Sequence, residues 1–258
     1  MSALHVLGSS PAVPRPNRAN SGYLVRGPDV ALVLELGAGA LSRLLAIAQT
    51  SEIDAVLISH MHADHFFDLV PLRYALKYES PRAQQLPVFL PPGATRSLRS
   101  VVAPFAPRGG FFNGLFDLSE YEPDAPLRVR SATVTFAKTR HYINGYAMRV
   151  DLPDGVIVFS SDTAPAEAVV DLARDADLFL CECGLGVSGE ERGRRGHSNA
   201  KEAGAMAQAA GVKHLVLTHY GMFARPGDLR RAAESAFSGS VTVADDGMEI
   251  PFAPSTWA

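Results

Sequence analysis

His60-Met61-His62-Ala63-Asp64-His65 decides how this chain is read. It follows Asp54-Ala55-Val56-Leu57-Ile58-Ser59, a short apolar run that reads as a buried strand. Four side chains able to ligate a metal therefore leave one strand end within six residues. His60 and His62 are two apart, so extended backbone points both imidazoles the same way. Asp64 and His65 come after the chain has turned and can face a second ion. A polar loop with clustered histidines is the plain alternative, but eight histidines in 258 residues seldom put three in one six-residue window. Histidine and carboxylate are the usual ligands of borderline metals such as zinc.

Composition sets the outer bounds. The chain is 47% apolar and 20% charged, an ordinary globular balance with enough apolar residues for a substantial core. A formal net charge of −3 gives no global basic field of the kind a general nucleic-acid binder carries. No apolar run approaches the roughly 20 residues needed to span a bilayer, so no membrane partner is expected. Met1 to Ser10 lacks a basic stretch followed by an apolar core, so no secretory leader is expected either. Cys181 and Cys183 share one face of a strand-like run with parallel side chains, which disfavours a disulfide between them. These points fit a cytoplasmic location.

Outward from the histidine stretch, the other chemistry-bearing residues also stand at the ends of strand-like runs. Tyr23–Val25 and Val30–Leu36 read as a hairpin, with Glu35 as an acid inside an apolar strand that needs a partner. Ala40–Gln49 reads as a helix. Asp68 is expected to cap a helix running to about Tyr78. Residues 103–124 lack a clear period and hold Phe105, Phe111, Phe112, Phe116 and Tyr121 around glycines. They read either as a lid over the site or as an apolar patch on the core or a second subunit. Leu127–Ala137 reads as one long strand with a one-residue slip that suits a bulge, and it leads to His141. Val156–Phe159 ends in Ser160-Ser161-Asp162-Thr163, Leu178–Glu182 ends at Cys183, and His214–Thr218 ends at His219. Asn199 and Glu202 stand in capping-box spacing at a helix start, with Gly211 as its stop.

His-x-His-x-Asp-His followed by single residues at later strand ends resembles the signature of the metallo-β-lactamase superfamily of hydrolases, over essentially the whole chain. The resemblance implies an α+β fold spanning 1–258 as a single domain: a four-layer αβ/βα sandwich of two face-to-face mixed β-sheets flanked by helices. It implies that His60, His62 and His141 hold one metal. Asp64, His65 and His219 hold a second, and Asp162 bridges them. Two divalent ions, zinc first and manganese or iron as alternatives, would share a hydroxide between them. Glu35 falls where the family usually has an acid that orients the ligands from behind.

Gly196-His197-Ser198-Asn199-Ala200-Lys201-Glu202-Ala203 looks like the helix-start motif of the ribonuclease Z-like phosphodiesterases, and Glu182 matches the acidic partner of its histidine. The catalytic residues implied are Asp64, His197 and Glu182. A histidine held by a carboxylate suits contact with phosphoryl oxygens and protonation of a leaving alkoxide. Arg194 and Arg195, just upstream, are candidates for binding an anionic substrate. The long basic arm of the transfer-RNA-processing members is missing between His141 and Asp162, where a hairpin fills the interval. The expected activity is hydrolysis of a small or cyclic phosphodiester, with transfer RNA not expected as a substrate. The alternative is a carboxylic-ester, thioester or lactone hydrolase on the same metal centre. The resemblance also suggests a homodimer.

Overall fold

A computed structural model describes residues 2–79, 82–106 and 109–252. The ends of the chain, and residues 107 and 108 within the aromatic 103–124 segment, lie outside the described residues. Two sheets form, of seven strands each among the described residues. The first contains β1 (Ala3–Gly8), β2 (Gly22–Arg26), β3 (Ala31–Leu36), β4 (Ala55–Leu57), β5 (Leu86–Leu90), β6 (Phe116–Glu120) and β14 (Glu249–Pro251). Its order is β14-β1-β2-β3-β4-β5-β6. The second contains β7 (Leu127–Val129), β8 (Ala132–Lys138), β9 (Tyr146–Leu152), β10 (Gly155–Phe159), β11 (Leu178–Glu182), β12 (His214–Thr218) and β13 (Ser240–Val243). Its order is β13-β12-β11-β10-β9-β8-β7. Antiparallel hairpins open each half, and parallel crossovers follow: β3-β4-β5-β6 in the first sheet and β10-β11-β12-β13 in the second.

Parallel strands covered on both faces must be apolar throughout, and alternation then sorts their side chains between two cores. Along β4 and its continuation, Ala55 and Leu57 face the core between the sheets, while Val56 and Ile58 face the first helical layer. On β11, Leu178 and Leu180 point between the sheets, and Phe179 and Cys181 point to the second helical layer. The first outer layer holds α1 (Ala40–Ile47), α3 (Leu69–Tyr74) and α4 (Ala94–Val102); the second holds α5 (Glu167–Leu172), α6 (Ala200–Ala210) and α7 (Pro226–Glu234). This is the expected αβ/βα sandwich. No helix among the described residues is long and apolar enough to cross a membrane. Both cysteines are free and buried in the same outer core, as their spacing implied.

Several local expectations are corrected. Residues 127–138 are two strands, not one with a bulge: Val129 pairs with Ala132 across a two-residue turn at Arg130 and Ser131, with Arg130 left-handed at φ 53°. The slip in alternation was that turn. Asp68 does not cap its own helix; its carboxylate accepts the Leu41 N–H at 2.9 Å and so closes the first turn of α1. α3 stops at Tyr74 and passes into a single π-helical turn, Ala75–Glu79. Within 103–124, Phe116 opens β6, and Phe111 and Phe112 pack beneath α4 in the first outer core. Among the described residues none of that segment lines the cleft described below; Phe111, Phe112 and Phe116 pack in the first outer core, whereas Phe105 is exposed.

Candidate metal centre and active site

The strand ends of both sheets converge on one rim. His60 follows β4, and His62 precedes the short α2 (Ala63–Phe66), which carries Asp64 and His65. His141 lies in the turn after β8, Asp162 just past β10 and His219 just past β12. One ligand atom each from His60, His62, His141 and Asp162 lie within 4.8 Å of one another, and Asp64, His65 and His219 form a second such group. Asp162 Oδ2 joins the two: it is 3.7 Å from His60 Nε2 and 3.4 Å from both His65 Nε2 and His219 Nε2.

Local backbone devices aim these groups. Gly22 pairs with Leu36 and Tyr23 with Leu34, which leaves Glu35 unpaired as the extra residue of a bulge. Glu35, Ser161 and His219 all take left-handed backbone, at φ 61°, 54° and 55°. Such a residue costs about 1–3 kcal/mol and persists only where its surroundings over-determine it. The flanking strands supply that, since a fully buried Leu or Phe contributes about 1.5–3 kcal/mol. Gly37 lets the histidine stretch dock, because a β-carbon there would collide with the Asp64 carbonyl oxygen.

A shell of acceptors fixes the imidazoles. His141 Nδ1 lies 2.7 Å from the Gly196 carbonyl, which can only accept, so Nδ1 carries the proton and Nε2 offers its lone pair inward. His60 Nδ1 is 2.9 Å from Ser59 Oγ, and His219 Nδ1 is 2.9 Å from Ser21 Oγ. His65 Nδ1 faces Glu35 Oε2 at 3.4 Å, while Glu35 Oε1 accepts the Ser59 N–H at 2.8 Å. Glu35 therefore stands behind the cluster, as its position suggested.

The donor set fits metal ions. His62 Nδ1 lies 3.1 Å from His60 Nε2 and 3.0 Å from His141 Nε2. Three ring nitrogens so close are held together either by a proton on His62 Nδ1 or by a cation among their lone pairs. Burial holds His60, His62 and His141 below the ordinary imidazole range and His219 at about 4, in the neutral form that ligates. His65 is the exception: burial lowers it, but Asp162, Asp64 and Glu35 raise it further, so in the metal-free chain it keeps a proton among three carboxylates. Both of its nitrogens, and Glu35 Oε2, are buried without a hydrogen bond. Three carboxylates buried in one place call for cationic compensation.

Beside this cluster stands His197. Its Nδ1 is 3.0 Å from Glu182 Oε1, and it groups with Asp162 and His219 within the same 4.8 Å limit. Glu182, fully buried at the end of β11, also accepts from the Thr163, Gly184 and Ser198 amides at 3.0, 2.6 and 3.2 Å. Burial pushes its carboxyl up to about 7, against the pull of His197. Burial lowers His197, but Glu182 outweighs it and raises the imidazole to about 9. The expected capping box of Asn199 and Glu202 forms and starts α6 just after this histidine.

A cleft of about 400 Å³ opens over these groups, lined by Pro11, Ala12, His62, Ala63, Asp64, Tyr142, Asp162, Gly184, His197 and His219. Residues 21–220 match the family described as the β-lactamase superfamily domain. The chain belongs to the metallo-β-lactamase superfamily. YhfI of Bacillus subtilis, described as a probable metallo-hydrolase, is 31% identical over 245 residues, covering 94% of this chain and 96% of its own. Its crystal structure superposes with a TM-score of 0.87 over 96% of this chain and 99% of that one, at 29% identity. A ribonuclease Z of Halorubrum lacusprofundi is 29% identical, covering 95% of this chain and 96% of its own. That alignment runs over 301 positions, more than the 258 residues here, so the relative carries segments with no counterpart in this chain. The human short-form tRNase Z shares the fold, with a TM-score of 0.78 at 21% identity over 98% of this chain and 100% of that one. The protein is thus a superfamily hydrolase with a His/Asp cluster able to bind metal ions.

Two expected residues are not brought to the cleft. Arg195 is committed to Glu202, at 2.7 Å, and Arg194 is exposed, with Nη2 donating to the His141 carbonyl at 3.0 Å. Neither lines the cleft. Tyr142 and the Pro11–Ala12 turn do line it. Tyr142 adjoins His141 and was findable as an aromatic next to a ligand candidate. The 11–12 turn gave no signal beyond its prolines.

Proposed function

We propose that the protein is a dinuclear metal-dependent phosphodiesterase for small phosphodiesters, cyclic ones included. His60, His62 and His141 would hold one ion, Asp64, His65 and His219 the other, and Asp162 both, with zinc favoured by the imidazole and carboxylate donors. Bound there, the ions would supply a nucleophile at neutral pH and neutralise phosphoryl charge. The observation that carries the phosphodiesterase reading is the Glu182–His197 pair beside Asp162 and His219. Attack of water forms one P–O bond as another breaks, and the departing alkoxide needs a proton. His197 holds that proton, with Glu182 fixing its Nδ1 so that the other nitrogen addresses the phosphoryl and leaving oxygens. Asp64, which lines the cleft, would accept the proton of the attacking water. A thioester expels a thiolate that can leave without a proton, and over a carboxylic ester, which also expels an alkoxide, the diester is favoured by the likeness of the Gly196–Ala203 stretch and Glu182 to the ribonuclease Z-like motif.

Cleft size and charge favour a small substrate. Among the described residues no arginine or lysine lines the cleft, so anion recognition is assigned to the ions and His197. The interval between His141 and Asp162 is the β9–β10 hairpin, with no arm to grip a folded RNA. A homodimer and a single domain belong to the same proposal and rest on the family resemblance; the cytoplasmic location in it rests on the unpaired Cys181 and Cys183. The test is a comparison of kcat/KM on bis(p-nitrophenyl) phosphate and on 2′,3′- and 3′,5′-cyclic nucleotides with that on thioesters, lactones and a precursor transfer RNA, each metal added in turn. The diesters should lead. Preference for a thioester or lactone, or specific 3′-end cleavage of the RNA at higher kcat/KM, would overturn the assignment.

A further inference from the structure

Between β11 and α6 the chain runs through a loop, residues 183–199, that carries His197 to the cleft without a strand or helix to hold it. Two of its glycines, Gly186 and Gly193, are left-handed at φ 70° and 82°. Glu182 and Thr163 hold Ser198 on one side of His197, and Glu191 holds the other side: its Oε2 accepts the Gly196 N–H at 2.6 Å and the His197 N–H at 3.1 Å, and its Oε1 accepts the Tyr142 hydroxyl. The Tyr142 ring packs flat on Gly196, where a β-carbon would come within 2.5 Å of the ring. That ring also lies 4.9 Å from the His141 ring and 5.8 Å from the His197 ring. One carboxylate thus joins the backbone of the proton-donor candidate to an aromatic wall of the cleft.

We propose that Glu191 is a positioning residue that locks His197 and the Tyr142 wall into a single unit, so that donor placement and cleft shape are set together. The inference rests on the function assigned to His197 above. Glu182 fixes the direction of the imidazole, and Glu191 fixes where its backbone stands. Without Glu191 the Gly196 and His197 amides lose their acceptor, and the backbone on the N-terminal side of His197 can shift while Ser198 stays anchored. A displacement of about 1 Å in a catalytic group can cost roughly 10²-fold in rate.

The experiment uses the full-length, zinc-replete protein, bis(p-nitrophenyl) phosphate, and the variants Glu191→Gln, Tyr142→Phe, their double variant, and His197→Ala with and without Glu191→Gln. Zinc content and thermal midpoint are recorded for each. Amide hydrogen exchange at Gly196 and His197 provides a readout independent of turnover. Glu191→Gln should speed exchange at both amides and lower kcat about tenfold, with KM changed less and zinc retained. Tyr142→Phe should do the same more weakly, and the double variant should be no worse than Glu191→Gln alone. In the His197→Ala background, Glu191→Gln should cost nothing further in kcat. Unchanged exchange in Glu191→Gln, an equal loss of kcat in the His197→Ala background, or loss of zinc would each overturn the proposal. Wild-type turnover by His197→Ala would fall on the function reading instead, and the exchange data would still judge the lock.

Discussion

Replacing Glu182 by glutamine separates the charge of its carboxylate from its shape. Oε1 accepts from His197 Nδ1, the Thr163 amide and the Ser198 amide, whereas Oε2 accepts only from the Gly184 amide. A glutamine therefore keeps its carbonyl oxygen on the three-donor side and turns its NH₂ toward the Gly184 N–H. That leaves two buried donors face to face, at a cost of about 1–3 kcal/mol. For a chain of this size each kcal/mol lowers Tm by about 2–4 °C, so the variant should still fold, with a reduced midpoint. The larger effect is on His197, which loses the charge that raises it to about 9. Its protonated form is the donor, so kcat should fall as pH rises through its pKa, and bound dications place that limb at or below pH 9. Removing the Glu182 charge lowers the pKa and moves the limb to lower pH, with kcat at neutral pH down by up to about 10²-fold. The assay is kcat against pH for both proteins on bis(p-nitrophenyl) phosphate, with metal content matched. An unmoved alkaline limb together with kcat within twofold of wild type would refute the proton-donor reasoning.

Other expectations concern the metals and their supports. Metal-replete protein should contain two ions per chain by elemental analysis; a ratio near one, with Asp162→Ala unchanged in content, would remove the dinuclear assignment. His197→Ala should lower kcat by about 10²–10⁴-fold while metal content holds, which stopped-assay kinetics and elemental analysis report together. Glu35→Ala should weaken metal retention by about 10–100-fold in competition with a chelator, because His65 loses the carboxylate behind its Nδ1; retention equal to wild type would make Glu35 a purely structural acid.

The strand ends and the polar residues standing at them were legible because they follow from short-range rules, whereas the four layers and the sharing of the donors between two ions came from the family resemblance. A strand buried on both faces must be apolar until its end, so the first polar residues after Ile58, Phe159 and Thr218 marked the rim. The Asn199–Glu202 box and Gly211 fixed the ends of α6 by the same local logic. What escaped depends on contacts distant in sequence. Glu35 is aimed by a bulge set by its partner strand, and nothing in Leu34-Glu35-Leu36 announces a left-handed residue. Arg195 looked free to meet an anion, yet Glu202, already part of a helix cap, claims it. Asp68 capped a helix other than its own. The described aromatics of 103–124 serve different elements, Phe111 and Phe112 in the first outer core, Phe116 at the start of β6 and Tyr121 between the sheets, so no single period joins them.

The donors come from both sheets: His60, His62, Asp64 and His65 from the rim of the first, His141, Asp162 and His219 from the rim of the second. Neither half of the chain carries the full set. During synthesis the ribosome releases the His60 stretch long before His219, the last donor to appear. A partly made or wrongly docked chain would present two or three imidazoles and hold an ion only weakly. Tight loading would begin once the second sheet has closed on the first. In the proposed centre the full ligand set therefore exists only where the two sheets meet.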